Sequence, residues 1–176
     1  MSAVVIDTNV LLIADGKAAQ MSAHCQIECM DRLDHVKVSE QVALDESWLI
    51  LEEYSNKLAP NQSQTFGSAF LKWLLQVQGD PDHTTWVKIT PTNNECTQFR
   101  EFPNDPGLKA DFDPADRKFV AVANAHPEKP PIIEAGDSKW LAWRDRLSKH
   151  GIQLDLLCHA ELQAIHKKKQ KKKRKS

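Results

Sequence analysis

The chain has 176 residues, 41% hydrophobic and 27% charged, which suits one folded domain with a real core rather than a disordered or fibrous protein. No apolar run is long enough to cross a bilayer and no export signal is visible, so we expect a cytoplasmic protein without a membrane partner. Four cysteines in a chain of this length do not resemble a disulfide framework.

The net charge of −1 combines an acidic body with a basic end. Eight of the 23 basic residues lie in 167–175, which leaves 15 basic and 24 acidic residues in 1–166. We predict a folded domain over 1–160 and a basic tail over 161–176 that is disordered unless bound. The tail suits a polyanion such as a nucleic acid. Docking onto the protein's own acidic face and a nuclear-localisation-like signal are the alternatives.

The first elements repeat one arrangement of strand, carboxylate and helix. Apolar residues at 4–6 predict a buried strand, and Asp7 follows at once. A helix over 22–35 leads to a second strand, which ends at 42–44 just before Asp45. Each aspartate also suits the N-cap of the helix after it, so both interpretations stay open here.

The middle of the chain is predicted to be mainly helical. Helices are expected over 46–58 and 64–77, and a strand over 86–89. Residues 91–112 are expected to form a loop with one helical turn at 95–99.

The last third again alternates strands and helices. Asp113 and Pro114 suit the N-cap and first position of a helix. The remaining predicted elements are a strand at 132–135, a helix at 139–150, a strand at 152–157 and a short helix from 159. This alternation predicts an α/β fold with helices on both faces of a mainly parallel sheet.

Four aspartates are expected to meet at one edge of this sheet. Asp7, Asp45 and Asp137 follow strands directly, and Asp116 lies in the first turn of a helix. Neighbouring carboxylates repel unless cations intervene, and hard divalent cations prefer oxygen ligands. Two such ions would activate a water and stabilise the leaving oxygen of a phosphodiester.

Each of these aspartates has an alternative role. Asp45 could cap a helix and leave Glu46 as the ligand, and Asp137 could cap the helix at 139. Asp116 could pair with Arg117 or stabilise the N-terminus of its helix, where carboxylates are favoured.

Three stretches resemble the motifs of PIN-domain nucleases, which share a PIN-like or FEN-like fold. VVIDTNVL at 4–11 resembles the opening motif, DRKFVAVA at 116–123 the second signature, and IIEAGDS at 132–138 the third. The resemblance covers most of 3–158, in the right order. It implies a three-layer α/β/α sandwich and Mg²⁺- or Mn²⁺-dependent cleavage of single-stranded or structured RNA.

The resemblance also implies roles for individual residues. Asp7, Asp116 and Asp137 would bind metal, Asn9 would help order the site, and Asp113 would be an auxiliary ligand. The family's second acidic position is often a glutamate, near the start of the helix after the second strand. It fits Asp45, with Glu46 and Glu40 as alternatives. In the third motif Ser138 follows the aspartate, where the family usually has threonine or serine before or near it.

Basic and aromatic residues near the predicted site are candidates for contacts with RNA, namely Arg117, Lys118, Lys139 and Trp140. The alternative role of the three cations is to offset the acidic cluster. Cys25 and Cys29 lie one turn apart on a predicted helix and are expected in the core rather than in a metal site.

The leading hypothesis is therefore a metal-dependent endoribonuclease. One form of it is a toxin-like effector that an inhibitory protein partner holds in check, and such domains often pair as homodimers. The alternatives are a PIN-like module that binds nucleic acid without cutting it and a haloacid-dehalogenase-type phosphatase. The phosphatase needs a second aspartate two residues after the first, where this chain has Asn9.

Overall fold

The computed structural model describes residues 1–58, 60–61 and 64–175. Its sheet has five strands in the order β3-β2-β1-β4-β5, and every pairing is parallel. The strands are β1 (Ser2–Ile6), β2 (Glu40–Asp45), β3 (Thr84–Val87), β4 (Ile132–Glu134) and β5 (Leu154–Leu156). Helices flank this sheet, so the predicted fold class, a three-layer α/β/α sandwich, is confirmed.

The helices follow the strands closely. They are α1 (Thr8–Ala14), α2 (Ala23–Ser39), α3 (Leu49–Leu58), α4 (Phe66–Val77), α5 (Pro106–Asp111), α6 (Arg117–Ala125), α7 (Lys139–Lys149) and α8 (His159–Lys173). A 3₁₀ turn at Pro114–Asp116 precedes α6. Among the described residues, no helix has both the length and the apolar character that a bilayer-spanning segment requires.

Strand β1 lies at the centre of the sheet, between β2 and β4. Its residues Val4, Val5 and Ile6 are fully buried, as expected for a parallel strand covered on both faces. The chain runs from β1 outwards to β2 and β3 on one side, and later to β4 and β5 on the other. The strand order therefore reverses between β1 and β4. In an open α/β sheet, the crevice beyond the carboxyl ends at such a point is where ligands bind.

Two local predictions differ from the structure in the irregular region. No helical turn forms at 95–99, where Pro91 and Phe99 instead form an isolated antiparallel bridge. Helix α5 lies within the predicted loop, because Asp105 accepts hydrogen bonds from the backbone of Gly107 and Leu108 and so caps it. Pro106 then takes the first helical position, which proline favours.

The C-terminal region also differs from the prediction. The tail expected to be disordered from 161 is helical up to Lys173 in α8. Its first turns are held in place, because Leu162 is buried and Glu161 accepts hydrogen bonds from the backbone N–H and hydroxyl of Ser22. Lysine has a good helix propensity, so the helix continues along the basic residues.

A disulfide joins α8 to α2, although the cysteine count did not indicate a disulfide framework. It links Cys25 of α2 to Cys158, which precedes α8. Cys158 also donates a backbone hydrogen bond to Glu28 Oε1 at 3.0 Å. These contacts fix where α8 leaves the folded domain.

Candidate active site

Asp7 and Glu134 stand next to each other at the carboxyl ends of β1 and β4. The strand register pairs Ile6 with Ile133, and the backbone N–H of Asp7 donates to the carbonyl of Ile133 at 2.9 Å. Asp7 Oδ2 accepts the backbone N–H of Asn9 at 3.0 Å, so Asp7 also caps α1. The capping interpretation of Asp7 is therefore confirmed, with the backbone N–H of Asn9 as the donor, and Asp7 also lies at the carboxyl end of β1.

The turn after β4 brings Asp137 to the same edge. The backbone N–H of Asp137 donates to Glu134 Oε1 at 2.9 Å, and Asp137 Oδ1 accepts the backbone N–H of Lys139 at 3.0 Å. Gly136 has φ +86°, and a Cβ there would lie 2.9 Å from Cδ1 of Ile13. A side chain at 136 would therefore be strained by this backbone conformation and would displace the end of the Ile13 side chain. Ser138 is buried at the N-cap of α7 but makes no side-chain cap hydrogen bond.

Asp116 and Asp113 approach from the turn before α6. Asp113 accepts a hydrogen bond from the backbone of Ala115 at 3.3 Å, as predicted for a cap, and its Oδ2 lies 2.9 Å from Lys139 Nζ. This lysine lowers the pKa of Asp113. Burial, together with the negative charge of Asp113, raises the pKa of Asp116 to about 7. Asp113 therefore lies at the rim, paired with a cation, and Asp116 lies further in.

Glu53 of α3 completes the group and was missed from the sequence. Its Oε1 accepts the hydroxyl of Thr8 at 2.5 Å, and its Oε2 lies 2.5 Å from Lys118 Nζ. Its negative charge contributes to the raised pKa of Asp7 and of Asp116. The sequence contains an indication of this residue, because Glu53 interrupts the apolar stripe of a predicted helix.

Asp45 does not belong to this group, which corrects the prediction. Its two carboxylate oxygens accept the backbone N–H groups of Leu49 and Ile50, both at 2.9 Å. It is fully buried as the cap of α3. The alternatives are also placed elsewhere, since Glu46 is exposed and Glu40 pairs with Arg32.

We call Asp7, Glu53, Asp116, Glu134 and Asp137 the carboxylate cluster. Burial raises the pKa of Asp7 well above its usual range, and the charge of Asp116 adds to the effect. Burial also raises the pKa of Glu134 to about 10, with Asp7 as the next cause. Lys118 is buried inside this group and supplies a positive charge. Burial and mutual repulsion thus favour the protonated forms of Asp7, Asp116 and Glu134 unless a cation intervenes.

The donor chemistry of the cluster fits a hard divalent cation. Its members offer carboxylate oxygens, and Glu134 Oε2 is buried without a hydrogen-bond partner among the described residues. The carboxylate oxygens of the cluster are farther apart than the ligand atoms of a closed site for a single ion. Among the described residues, the set of three whose ligand atoms lie within 4.8 Å of one another is Cys25, Cys29 and Cys158. Binding of one ion by three of these carboxylates would therefore require some of their side chains to change conformation.

The cysteines do not form a metal site in this state. Cys25 and Cys158 are bonded to each other, and burial raises the pKa of the Cys29 thiol to about 12. Metals bind the thiolate, which this environment disfavours. The expectation that Cys25 and Cys29 lie in the core is confirmed, since both are fully buried.

Two of the four predicted RNA contacts are buried, and the guanidinium of a third makes hydrogen bonds within the chain. Trp140 is fully buried with its ring edge-on to Phe112, so it cannot stack on a base. Lys118 is held by Glu53, and Arg117 donates to the backbone carbonyls of Lys109 and Phe112. For Lys118 the alternative role, offsetting the acidic charge, describes the geometry. Lys139 is exposed at the rim of the cluster and remains a candidate.

Comparisons with known proteins add no family to this description. No protein-family model, no curated protein and no solved structure matches the chain. What the site can do has to be inferred from its own residues.

Proposed function

We propose that this chain is a divalent-metal-dependent ribonuclease of the PIN-domain kind, with the carboxylate cluster as its active site. One observation carries the proposal. Five carboxylates from separate parts of the chain meet at the reversal point of the sheet, where burial and mutual repulsion raise the pKa values of Asp7, Asp116 and Glu134. Such an arrangement costs folding free energy, and strongly perturbed groups in a cleft are typical of functional sites.

The roles of the residues follow from their contacts. Asp7, Glu53, Asp116 and Asp137 would hold Mg²⁺ or Mn²⁺, and the unpartnered Oε2 of Glu134 offers a further ligand atom. When bound, a divalent ion would lower the pKa of a water and stabilise the charge on the leaving oxygen. Glu134 positions Asp137 through the hydrogen bond to its backbone N–H.

Two cations act on the cluster from different sides. Lys118 fixes Glu53 from within, and Lys139 pairs with Asp113 at the rim. Each lysine is engaged in an ion pair with a carboxylate, so neither is placed to accept a proton from water.

The test is incubation of the purified full chain with labelled RNA and labelled DNA, in Mn²⁺, in Mg²⁺ or in EDTA. We expect cleavage of RNA that EDTA abolishes and that Asp7→Asn and Asp116→Asn each eliminate while circular dichroism shows an unchanged fold. Asp31→Asn, at an exposed position of α2, is the matched control and should cut normally. Cleavage by purified Asp7→Asn protein would overturn the proposal. Metal-independent RNA binding without cleavage would favour a non-catalytic module instead.

We also propose a cytoplasmic location, on the composition of the chain. The Cys25–Cys158 disulfide argues in the other direction, because cytosolic thiols are kept reduced. Trapping of free thiols at lysis, followed by mass spectrometry of this pair, decides the matter. Reduced cysteines fit the cytoplasm, and a fully oxidised pair contradicts it.

A further inference from the structure

A groove of about 830 Å³ runs between α5, α7 and α8, next to the carboxylate cluster. Its apolar floor includes Trp143 and Ala142 of α7. Its walls include five basic residues. They are Lys139 and Arg146 from α7 and His166, Lys169 and Lys173 from α8. We call this feature the α7–α8 groove.

The charge of the groove is opposite to that of the cluster. Among the described residues that line it, four are lysine or arginine and one, Asp111, is acidic. Arg146 and Lys139 are partly neutralised by Asp105 and Asp113. Lys169 is exposed and has no ion-pair partner among the described residues. A wall with a net positive charge facing an apolar floor suits a ligand with a repeating negative charge and flat apolar groups.

The position of α8 is fixed rather than incidental. The disulfide to α2, the Glu161–Ser22 hydrogen bonds and the buried Leu162 hold its first turns. Lys169 and Lys173 lie one turn apart on the same side of the helix, about 6 Å along its axis. That separation is comparable with the spacing of successive phosphates in a nucleic-acid strand.

The groove also leads directly to the cluster. Ser138 and Lys139 line its end, and the backbone N–H of Lys139 donates to Asp137 Oδ1. The Lys139 side chain reaches Asp113 at the rim. A strand lying in the groove would therefore place a phosphodiester beside the carboxylates. The basic walls would offset the repulsion that the cluster exerts on a polyanion.

We propose that the α7–α8 groove binds the backbone of single-stranded RNA and guides it to the carboxylate cluster. This inference rests on the proposed function, whose substrate it places in the structure. It assigns the RNA-binding role to Lys169 and Lys173 of α8 instead of to Arg117, Lys118 and Trp140.

The experiment compares two full-length variants that lose the same charge from the same helix. Lys169→Gln/Lys173→Gln removes two groove lysines, and Lys167→Gln/Lys171→Gln removes two exposed lysines about 160–200° around the helix. Binding of a labelled oligouridylate is measured in EDTA over a range of salt concentrations, with an oligothymidylate and poly-glutamate as parallel probes. EDTA keeps binding separate from cleavage.

Substitution of the groove pair, Lys169 and Lys173, should weaken RNA binding about tenfold more than substitution of the outer pair, Lys167 and Lys171, at 0.1 M salt. It should also reduce the slope of log K against log salt by about 1.4, since each lost phosphate contact contributes about 0.7 for a single strand. The outer pair measures the general attraction of the basic helix.

Several results would overturn the proposal that the α7–α8 groove binds RNA. Equal losses in the two pairs, no RNA binding by the unmodified chain, or a loss confined to poly-glutamate would each do so. A loss for thymidylate but not uridylate would exclude RNA as the ligand. If both pairs of substitutions weaken RNA binding equally but metal-dependent cleavage is intact, the groove proposal is refuted and the ribonuclease proposal stands. If only the groove pair weakens RNA binding and no cleavage is seen, the ribonuclease proposal is refuted and the groove proposal stands.

Discussion

Lys118 Nζ lies 2.5 Å from Glu53 Oε2, which places an ion pair inside a group of carboxylates. The lysine side chain is 9% exposed and that of the glutamate 25%. The same Nζ donates to the carbonyl of Ala115 and so ties the 3₁₀ turn before α6 to α3. One cation thus links two elements that carry the acidic residues.

Replacing Lys118 with methionine should destabilise the fold by about 2–4 kcal/mol, because the Glu53 carboxylate is left without its partner in a largely buried place. Lys139→Met is the matched control, since its pair with Asp113 is exposed and should cost at most about 1 kcal/mol. Urea unfolding in EDTA measures both. Equal costs for the two variants would contradict this account of the ion pair.

Mn²⁺ should restore more stability to Lys118→Met than it adds to the unmodified chain. The reason is that removal of the lysine leaves one more negative charge for the ion to neutralise. The rise in melting temperature on adding Mn²⁺ is the measurement, and a smaller rise in the variant would contradict it.

Substitution of Asp45 and of Glu53 by the corresponding amide should have different effects on RNA cleavage. Glu53→Gln removes a charge from the cluster and should lower RNA cleavage by at least a hundredfold. It also leaves the buried Lys118 without its anionic partner, so it should cost about 2–4 kcal/mol of stability. Asp45→Asn keeps a capping residue but loses one of two accepted N–H groups, so it should cost about 1 kcal/mol and leave cleavage intact. Rates measured at saturating Mn²⁺, together with unfolding curves, test both. Loss of cleavage in Asp45→Asn would return that residue to the site.

The difference between Asp45 and Glu53 shows what the sequence could and could not reveal. A carboxylate directly after a strand is visible in a sequence, and the rule succeeded for Asp7 and Asp137. It failed for Asp45 because the tight turn into α3 directs that side chain to the helix backbone. Glu53 acts at a distance of 45 residues from Thr8, and such a contact exists only after the sheet has formed.

The orientation of the aromatic residues on α7 was also not predictable from the sequence. Trp140 is three residues from Asp137 in sequence, which suggested a base-stacking role. Helix α7 turns it inwards, where it packs against Phe112 and Trp143. The strands themselves were predictable, because parallel strands covered on both faces require the continuous apolar runs seen at 4–6 and 132–133.

The stability of the metal-free protein should fall as pH rises from about 4 to 7. The folded chain keeps the Asp116 proton up to about pH 7, whereas the unfolded chain releases it near the usual value of 3.8. Between these values the folded state binds more protons, so raising the pH favours unfolding. Glu134, with its pKa raised from 4.5 to about 10, acts in the same direction over the whole range between these two values.

Urea unfolding in EDTA at pH 5, 6 and 7 measures this dependence, and Asp116→Asn is the comparison. The variant should show a shallower fall, by about one proton in the slope of free energy against pH. A slope of the opposite sign in the unmodified chain, or an unchanged slope in Asp116→Asn, would show that Asp116 is not the group responsible.

Reduction of the Cys25–Cys158 disulfide should destabilise the folded domain. The bond closes a separation of 133 residues, so restraint of the unfolded chain contributes about 2–4 kcal/mol. Melting temperatures with and without dithiothreitol should therefore differ in the unmodified chain and coincide in Cys25→Ser/Cys158→Ser. Cys29→Ser removes a buried thiol one turn away on the same helix, so it should lower stability but keep the effect of dithiothreitol.

Because the bond holds the start of α8, reduction should also weaken the difference in RNA binding between the two lysine pairs. Identical melting curves with and without dithiothreitol would mean that the two cysteines are not bonded in solution.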